Sequence, residues 1–218
     1  MNPPVKHALI VSHPEPDSFT MAVAAHYAET VRRYGHEVVL RDLYRLPFNP
    51  VLTAHDRRER GPDAALATDV SVELAAIAGA DVFVLVYPVW FGGPPAMIKG
   101  YVDRIFGARF TFDQHGMTRH PLFAGKRLVS LTTSASLAAW LDEQGALTSL
   151  RNLFETYLRT VFGFSATSHL HLDGVVPGLP PREYRMLLKQ VDDCAFHVMA
   201  DIADARCPQG VEVPFPAA

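Results

Sequence analysis

The sequence predicts an α/β fold in which helices cover both faces of a parallel sheet. Five short apolar runs alternate with longer segments in which apolar residues recur at helical spacing. This alternation is typical of doubly wound sheets, because parallel strands need helical crossovers between them. The chain has 218 residues, 49% of them hydrophobic, which is enough to build one large core. We therefore expect a single domain that spans residues 1–218.

The predicted elements follow one another in the order β-α-β-α-β-α-β-α-β, with a final helix. The strands are Lys6–Ser12, His36–Asp42, Val82–Val86, Arg127–Thr132 and Thr167–Leu172. The helices are Met21–Tyr34, Asp69–Gly79, Pro95–Gly107, Leu147–Phe162 and Pro181–Asp204. The third strand contains no polar residue, which is typical of a central strand buried on both faces. For five parallel strands the common solution is the flavodoxin-like order 2-1-3-4-5, with its switch point between strands one and three.

Three loops leave the carboxyl ends of strands one, three and four, and we expect them to meet at the switch point. They are His13–Thr20, Pro88–Pro94 and Thr132–Ser136. The hydroxyl residues of the first loop suit either phosphate binding at a helix N-terminus or simple helix capping. The aromatic pair of the second loop suits either a ligand pocket or the edge of the core. Together the three loops favour a planar ring system with a phosphate tail, which is the shape of a flavin.

Composition and missing motifs argue against several other classes of protein. The net charge of −3 provides no basic surface for nucleic acid or for an anionic membrane. Two cysteines, Cys194 and Cys207, do not make a disulfide framework and fit a reducing cytoplasm. No apolar run approaches about 18 residues, so no membrane span is expected. The sequence contains no glycine-rich dinucleotide fingerprint, no P-loop and no serine-hydrolase elbow.

Three further stretches carry residues that could do chemistry. His169 and His171 share one face of the last strand, a spacing used by some zinc sites and also by ordinary hydrogen-bonded histidines. The charged run Asp56–Arg60 is typical of a solvated surface loop. The connection Arg109–Gly125 is long for a compact domain and rich in aromatic residues, and such loops tend to be functional.

One long motif begins at the end of the central strand. It reads Tyr87-Pro88-x-Trp90-Phe91-Gly92-Gly93-x-Pro95-Ala96-x-x-Lys99-Gly100-x-x-Asp103-Arg104. Supporting segments are His13 with Ser18-Phe19-Thr20, Arg41-Asp42-Leu43-Tyr44 with Phe48-Asn49-Pro50, and Leu131-Thr132-Thr133. The combination resembles the NAD(P)H:quinone oxidoreductase family, the flavodoxin-like enzymes also called DT-diaphorases. The resemblance covers nearly the whole chain and is more specific for the family than for the substrate.

The resemblance implies an enzyme in which NAD(P)H reduces a bound flavin and leaves, after which a quinone takes its place. The implied cofactor contacts are His13, Ser18, Phe19 and Thr20, then Pro88, Val89, Trp90 and Phe91, then Thr132, Thr133, Ser134 and Ala135, with Asp103 and Arg185. The implied substrate-pocket residues are Phe110, Phe112 and Trp140. Because Arg185 matches an arginine of the FAD-binding members, FAD is favoured over FMN.

The family resemblance also implies a homodimer with its active site at the interface. Alternatives on the same scaffold are a nitro- or azo-reductase and a flavin-binding ancillary subunit of a potassium-efflux system. The chain departs from the family at Trp140 and Ala146, which stand where the best-known members have a tyrosine and a histidine that relay a proton. Water, or else His115 or His120, is therefore expected to supply the proton. The pair Ser134-Ala135 replaces two small glycines and is expected to narrow the pocket.

Overall fold

A computed structural model describes residues 3–56, 65–112 and 118–206. In chain order the strands are β1 (Lys6–Val11), β2 (Glu37–Asp42), β3 (Val82–Pro88), β4 (Thr111–Phe112), β5 (Thr118–Arg119), β6 (Arg127–Thr133) and β7 (Ala166–Leu172). The five long strands form one sheet in the order β2-β1-β3-β6-β7, and every neighbouring pair is parallel. The predicted order 2-1-3-4-5 and the flavodoxin-like fold class are confirmed.

Helices cover both faces of this sheet. They are α1 (Phe19–Arg33), α2 (Thr68–Ile77), α3 (Ala96–Tyr101), α4 (Ala138–Glu143), α5 (Ala146–Arg151), α6 (Leu158–Phe162) and α7 (Pro181–Arg206). A π-helical turn, Val102–Phe106, continues α3, and a second, Asn152–Tyr157, joins α5 to α6. The apolar faces of α1 and α7 pack on one side of the sheet, and those of α2, α3, α5 and α6 pack on the other.

The central strand β3 shows why its sequence is continuously apolar. All of its residues are buried, because each face of the sheet meets a helical layer. Val82, Val84 and Val86 belong to the layer that α1 and α7 cover, whereas Phe83 and Tyr87 belong to the opposite layer. Helices therefore cover both faces of the sheet. Loops can form a binding site at the edge where the carboxyl ends of the strands lie.

The segment between β2 and α2 is fixed by a buried arginine. Arg104, 3% exposed, lies 3.0 Å from a carboxylate oxygen of Asp56 and 2.5 Å from one of Asp69. Its guanidinium also donates to the carbonyl oxygen of Asn49. We call these four residues the Arg104 cluster. The expectation of a solvated loop at Asp56–Arg60 is wrong for Asp56, whose side chain is only 6% exposed, and residues 57–60 lie outside the described part of the chain.

Gly100 allows the same segment to lie directly against α3. A Cβ atom added at Gly100 would lie 2.2 Å from the carbonyl oxygen of Pro50, a distance that no side chain tolerates. The helix and the backbone of residues 49–50 can therefore approach each other only because this position carries no side chain.

None of the described helices is long and apolar enough to cross a membrane.

Two features of the fold were not predicted from the sequence. The connection between α3 and β6 contains the antiparallel hairpin β4–β5, and α4 follows the end of β6. Strands of two residues and a helix of six residues carry too little periodicity to be recognised from sequence.

Candidate functional site

The three loops at the carboxyl edge of the sheet meet, and hydrogen bonds join them. The hydroxyl oxygens of Thr20 and Thr133 are 2.8 Å apart, so the start of α1 is tied to the end of β6. The backbone N–H of Val89 donates to the carbonyl oxygen of Thr133 over 2.7 Å, which ties the loop after β3 to the same point. Thr20 and Thr133 are both 3% exposed. Thr133 is thus the residue through which all three loops are held in one arrangement.

The first loop turns sharply into α1. Ser18 is the N-cap, and its hydroxyl accepts the backbone N–H of Met21 at 3.3 Å. Arg45, which the sequence analysis did not single out, donates to the carbonyl oxygens of His13 and Pro14 at 2.6 and 2.9 Å. Because the first turn of a helix leaves N–H groups unpaired and carries a positive partial charge, this loop can accept an anion.

The second loop is a tight turn that presents an aromatic ring to the outside. Trp90 and Gly93 exchange two backbone hydrogen bonds, and the two residues between them, Phe91 and Gly92, have φ angles of 51° and 80°. These values correspond to a type I′ turn, which bulky residues rarely adopt. The side chain of Phe91 is 111% exposed, so it does not pack in the core.

Trp90 links the second loop to the first. Its ring lies 5.6 Å from the ring of His13, in an edge-to-face arrangement, and it remains 41% exposed. Pro88 is buried as the last residue of β3, and Val89 follows it at the edge of the core. Phe91 has a left-handed backbone conformation and an exposed side chain, an arrangement that costs conformational free energy. Such strained residues often occur in functional turns.

The third loop carries the hydroxyl groups of Thr132, Thr133 and Ser134, all buried, and Ala135, which is exposed. Thr132 and Thr133 point to different partners. The hydroxyl of Thr133 meets Thr20, whereas that of Thr132 lies between two histidine side chains of β7. The Thr133 hydroxyl and the backbone beyond it are therefore the groups of this loop that face the other two loops.

Two predicted contacts outside the loops lie on helices. Asp103 is in the π-helical turn after α3, where its carboxylate is 2.5 Å from the ammonium group of Lys99. Arg185 is exposed on the first turns of α7. The residue before it, Tyr184, packs edge-on against the ring of Phe19, with centroids 5.2 Å apart. The start of α7 therefore lies against the start of α1, next to the first loop.

The predicted pocket residues are spread over different environments. Phe110 is buried in the core, with its ring centroid 5.6 Å from that of Phe162. Phe112 lies in β4, and its side chain is outside the described part of the chain. Trp140 is 53% exposed on α4, so it is free to line a surface pocket.

Of the two histidines expected as proton donors, the structure describes one. His120 is 1% exposed, its ring packs on Phe123, and its Nε2 lies 2.5 Å from the carbonyl oxygen of Ala108. Burial lowers the pKa of His120, although the Ala108 hydrogen bond opposes this. His115 lies outside the described residues. The environment of His120 is thus an aromatic core cluster rather than the three loops.

Ala146, by contrast, borders the aromatic turn. A Cβ atom added at Gly92 would lie 3.8 Å from that of Ala146. The position without a histidine therefore lies against Gly92 in the aromatic turn. Among the described residues no group of three histidine, cysteine or acidic side chains could hold a metal ion, so the zinc hypothesis for His169 and His171 has no third ligand there.

Comparison with known proteins agrees with this architecture. The sequence matches the flavodoxin-like fold family, Flavodoxin_2, over residues 5–179. It is 31% identical over 149 residues to an uncharacterized NAD(P)H oxidoreductase of Haemophilus influenzae, covering 68% of this chain and 73% of that protein. It is 30% identical over 150 residues to NAD(P)H dehydrogenase (quinone) 1 of Rattus norvegicus, covering 61% of this chain and 55% of the rat protein. The chain thus spans about half the length of the rat relative.

Solved structures share the fold. An NAD(P)H:quinone oxidoreductase from Methanothermobacter marburgensis superposes with a TM-score of 0.77 at 22% identity, covering 90% of this chain and 98% of that one. An FMN-dependent NADH-azoreductase from Bacillus anthracis, in complex with FMN, superposes with a TM-score of 0.67 at 18% identity. The superposition covers 89% of this chain and 99% of the azoreductase. At these identities the likeness concerns the fold. By its sequence, the chain belongs to the flavodoxin-like family of NAD(P)H oxidoreductases that includes the quinone reductases, and it is a member of a family of enzymes.

Proposed function

We propose that the chain is a flavin-dependent NAD(P)H oxidoreductase that reduces quinones in two separate half-reactions. The observation that carries this proposal is the junction of the three loops at Thr133, with the ring of Phe91 held outward beside it. Such a junction offers an anion site, an aromatic wall and hydroxyl groups at one edge of the sheet. A bound flavin would supply the hydride chemistry, and the protein would position it and exclude competing reactions.

The residues present fit such a group. The phosphate tail would lie at the first turn of α1, where Ser18, Phe19 and Thr20 follow the loop that Arg45 anchors. Near the sheet end of this loop the hydroxyl of Ser12 is buried without a hydrogen-bond partner in the described part of the chain, and a polar ligand would satisfy it. The ring would lie between the aromatic turn and the third loop, whose hydroxyl and backbone groups suit its polar edge.

For the flavin itself we propose FAD. The contact between Phe19 and Tyr184 supports this choice, because Arg185 follows Tyr184, is exposed near the first loop and could pair there with a second phosphate. FMN is the second candidate, because the Bacillus anthracis relative is an FMN complex by its name. Mass spectrometry of the ligand released on denaturation distinguishes the two, and FMN alone at full occupancy would contradict the role given to Arg185.

We also propose a homodimer whose interface completes the pocket. Three large aromatic side chains around the proposed site are exposed. They are Phe91 and Trp90 in the second loop, which are 111% and 41% exposed, and Trp140 on α4, which is 53% exposed. Exposed aromatic side chains of this kind mark interaction or ligand surfaces. Analytical ultracentrifugation of the full chain is expected to give twice the mass of the chain, and a monomer at every concentration would overturn this part of the proposal.

Steady-state kinetics tests the reaction. With NADPH and a benzoquinone both varied, we expect parallel lines in double-reciprocal plots, because NAD(P)H leaves before the quinone binds. An azo dye and a nitroaromatic compound assayed in parallel decide between quinone reductase and azo- or nitro-reductase by their kcat/KM values. Flavin-loaded protein that turns over none of these acceptors would contradict the enzyme proposal and favour an ancillary subunit.

A further inference from the structure

The turn that follows β2 brings an arginine to the first loop. Leu43 is fully buried, and its backbone N–H donates to the carbonyl oxygen of Val11, so the chain stays beside β1 as it leaves the sheet. Asp42 then closes the turn, because its carbonyl oxygen accepts the backbone N–H of Arg45 at 3.1 Å. One carboxylate oxygen of Asp42 also lies 3.5 Å from the guanidinium of Arg45. The side chain of Arg45 is therefore held against the first loop from its own turn.

Arg45 fixes the orientation of two peptide groups in the first loop. Its two terminal nitrogens donate to the carbonyl oxygens of His13 and Pro14 at 2.6 and 2.9 Å. Because a peptide group is planar, holding the carbonyl oxygen of Pro14 also fixes the direction of the N–H of Glu15. That N–H donates to Nδ1 of His13 at 3.1 Å. The arginine therefore acts on the imidazole of His13 through a single peptide group.

The hydrogen bond from Glu15 decides which nitrogen of His13 carries the proton. Because Nδ1 accepts this bond, a neutral ring carries its proton on Nε2. The carbonyl oxygen of Glu15 is 3.2 Å from the same Nδ1, but a proton placed on Nδ1 to reach it would meet the proton of the Glu15 N–H. Within the described residues, Nε2 of His13 makes no hydrogen bond. The Nε2 proton is therefore available to a ligand.

Few other side chains of the first loop could bind an anion. The loop contains no lysine or arginine, and its two acidic side chains are exposed. The hydroxyl of Thr20 is already paired with the third loop. The remaining donors are the unpaired N–H groups in the first turn of α1, the hydroxyl of Ser18 and Nε2 of His13. Since the imidazole of His13 packs edge-on against Trp90, it lies where the first and second loops meet.

We propose that Arg45 is a positioning residue of the proposed flavin site: it holds the first loop so that His13 presents its Nε2 proton to the phosphate of the flavin. The inference rests on the proposed function and adds to it a residue outside the motif segments that indicate the family. The guanidinium suits this role because its planar fork holds both carbonyl oxygens at once. A lysine would keep the charge, but its single ammonium group lacks the fork. Charge attraction and positioning can therefore be distinguished by experiment.

The arrangement of the loop is tested without any flavin. Nitrogen NMR of the full chain at about pH 8.5, well above the ordinary histidine range near about 6.5, reports which ring nitrogen carries the proton. His13→Asn assigns the signal, and we expect the proton on Nε2. Hydrogen exchange of the Glu15 amide should become about tenfold faster or more in Arg45→Met and Arg45→Lys, because both lose the fork. Arg159→Met, which changes an exposed arginine of α6, should leave this exchange unchanged. A proton on Nδ1, or wild-type exchange in Arg45→Met, would overturn the inference.

The contact with the phosphate is tested by flavin binding. FAD and FMN carry phosphate, whereas riboflavin does not. Arg45→Met and Arg45→Lys should weaken binding of FAD and FMN by about tenfold or more, because a hydrogen bond to a charged group contributes about this much. Riboflavin should bind both variants as it binds the wild type. In a His13→Ala background, Arg45→Met should have no further effect on FMN binding, because Arg45 acts through His13.

The outcomes separate this inference from the proposed function. Wild-type affinity for FMN in Arg45→Lys would show that the charge of Arg45 is sufficient. Equal weakening of FMN and riboflavin binding would show that Arg45 only maintains the structure. Either result contradicts the inference while the flavin function stands. If the wild-type chain binds no flavin, the proposed function is wrong and the inference is wrong with it.

Discussion

The Arg104 cluster and a second series of polar side chains at β6 and β7 hold their protons in different ways. The second series, which we call the histidine chain, consists of His169, Thr132, His171 and Ser134. In the Arg104 cluster a guanidinium that is always protonated faces two carboxylates and a carbonyl oxygen, so donors and acceptors are fixed. In the histidine chain each inner member both donates and accepts. Charges that cannot change partners fix a loop in place, whereas groups that can exchange roles are able to move a proton. The molecule therefore has one region whose donors and acceptors are fixed and one whose members can exchange these roles.

The largest expected effect comes from breaking the Arg104 cluster. Arg104→Met leaves Asp56 and Asp69 without their partner, and loss of one member of a buried ion pair costs about 3–5 kcal/mol. Lys99→Met, on the same helix, removes a pair whose lysine is 57% exposed and should cost less than about 1 kcal/mol. Urea denaturation followed by circular dichroism measures both. Equal decreases in the free energy of unfolding would show that burial does not make the Arg104 pairs more important than the Lys99–Asp103 pair.

The two regions should also respond to acid in different pH windows. An unfolded histidine titrates near about 6.5. The pKa of His171 is lowered to about 4 by burial and by His169, so below about pH 6.5 the unfolded chain binds the proton first. The free energy of unfolding therefore falls as the pH falls, by on the order of 2 kcal/mol from His171 alone. His7, whose pKa burial lowers to about 3, adds to the loss in the same window.

The Arg104 cluster acts at lower pH. The hydrogen bond from Arg104 holds the pKa of Asp69 below its ordinary value of 3.8, so its stabilisation is present above that pH and is lost below it. His171→Asn should make the fall in the free energy of unfolding less steep between about pH 6.5 and 4, whereas Arg104→Met should do so only below about pH 4. Urea midpoints measured across this range test the assignment, and interchange of the two windows would contradict it.

A smaller change tests the cluster without altering a charge. Gly100→Ala should cost about 1–3 kcal/mol, because the new methyl group meets Pro50 and forces the helix away from the segment that Arg104 holds. Gly93→Ala has no atom within 4 Å of the added carbon and should change stability by less than about 0.5 kcal/mol. Thermal melting of the two variants provides the comparison. Wild-type stability for Gly100→Ala would mean that the close contact is not needed.

The smallest effect on stability is expected at the aromatic turn. Phe91→Ala removes a fully exposed ring and should change the free energy of unfolding by less than about 0.5 kcal/mol. Phe106→Ala, which empties a fully buried site, should cost about 3–5 kcal/mol. Turnover should nevertheless fall in Phe91→Ala, because the ring would line the site. Stable protein with unchanged turnover would remove Phe91 from the proposed pocket.

The sequence was sufficient to predict the sheet and the edge at which the loops meet. Apolar runs such as Val82–Val86 identify strands directly, and the topology of five parallel strands then brings their loops together. It was also sufficient to place Thr20, Val89 and Thr133 in loops that the structure joins by hydrogen bonds. These predictions depend on local pattern and on topology, which a single sequence contains.

The partners of individual side chains could not be predicted in this way. His169 and His171 stood out in the sequence, but Thr132 and Glu155 become their partners only through strand register and the packing of a π-helical turn. Asp56 belongs to a charged run that predicted an exposed surface loop. Its side chain is buried because Arg104, almost 50 residues later in the chain, pairs with it. Contacts over such separations depend on the finished fold.

Titration of flavin-stripped protein with FAD and with FMN, followed by flavin fluorescence, tests the central claim most directly. We predict saturable binding of one flavin per chain. Thr133→Val should bind a few-fold to about tenfold more weakly, because one partly buried hydrogen bond is worth about 0.5–1.5 kcal/mol. The control Thr148→Val, exposed on α5, should bind like the wild type. Failure of the wild-type chain to bind either flavin would contradict the account of the three loops.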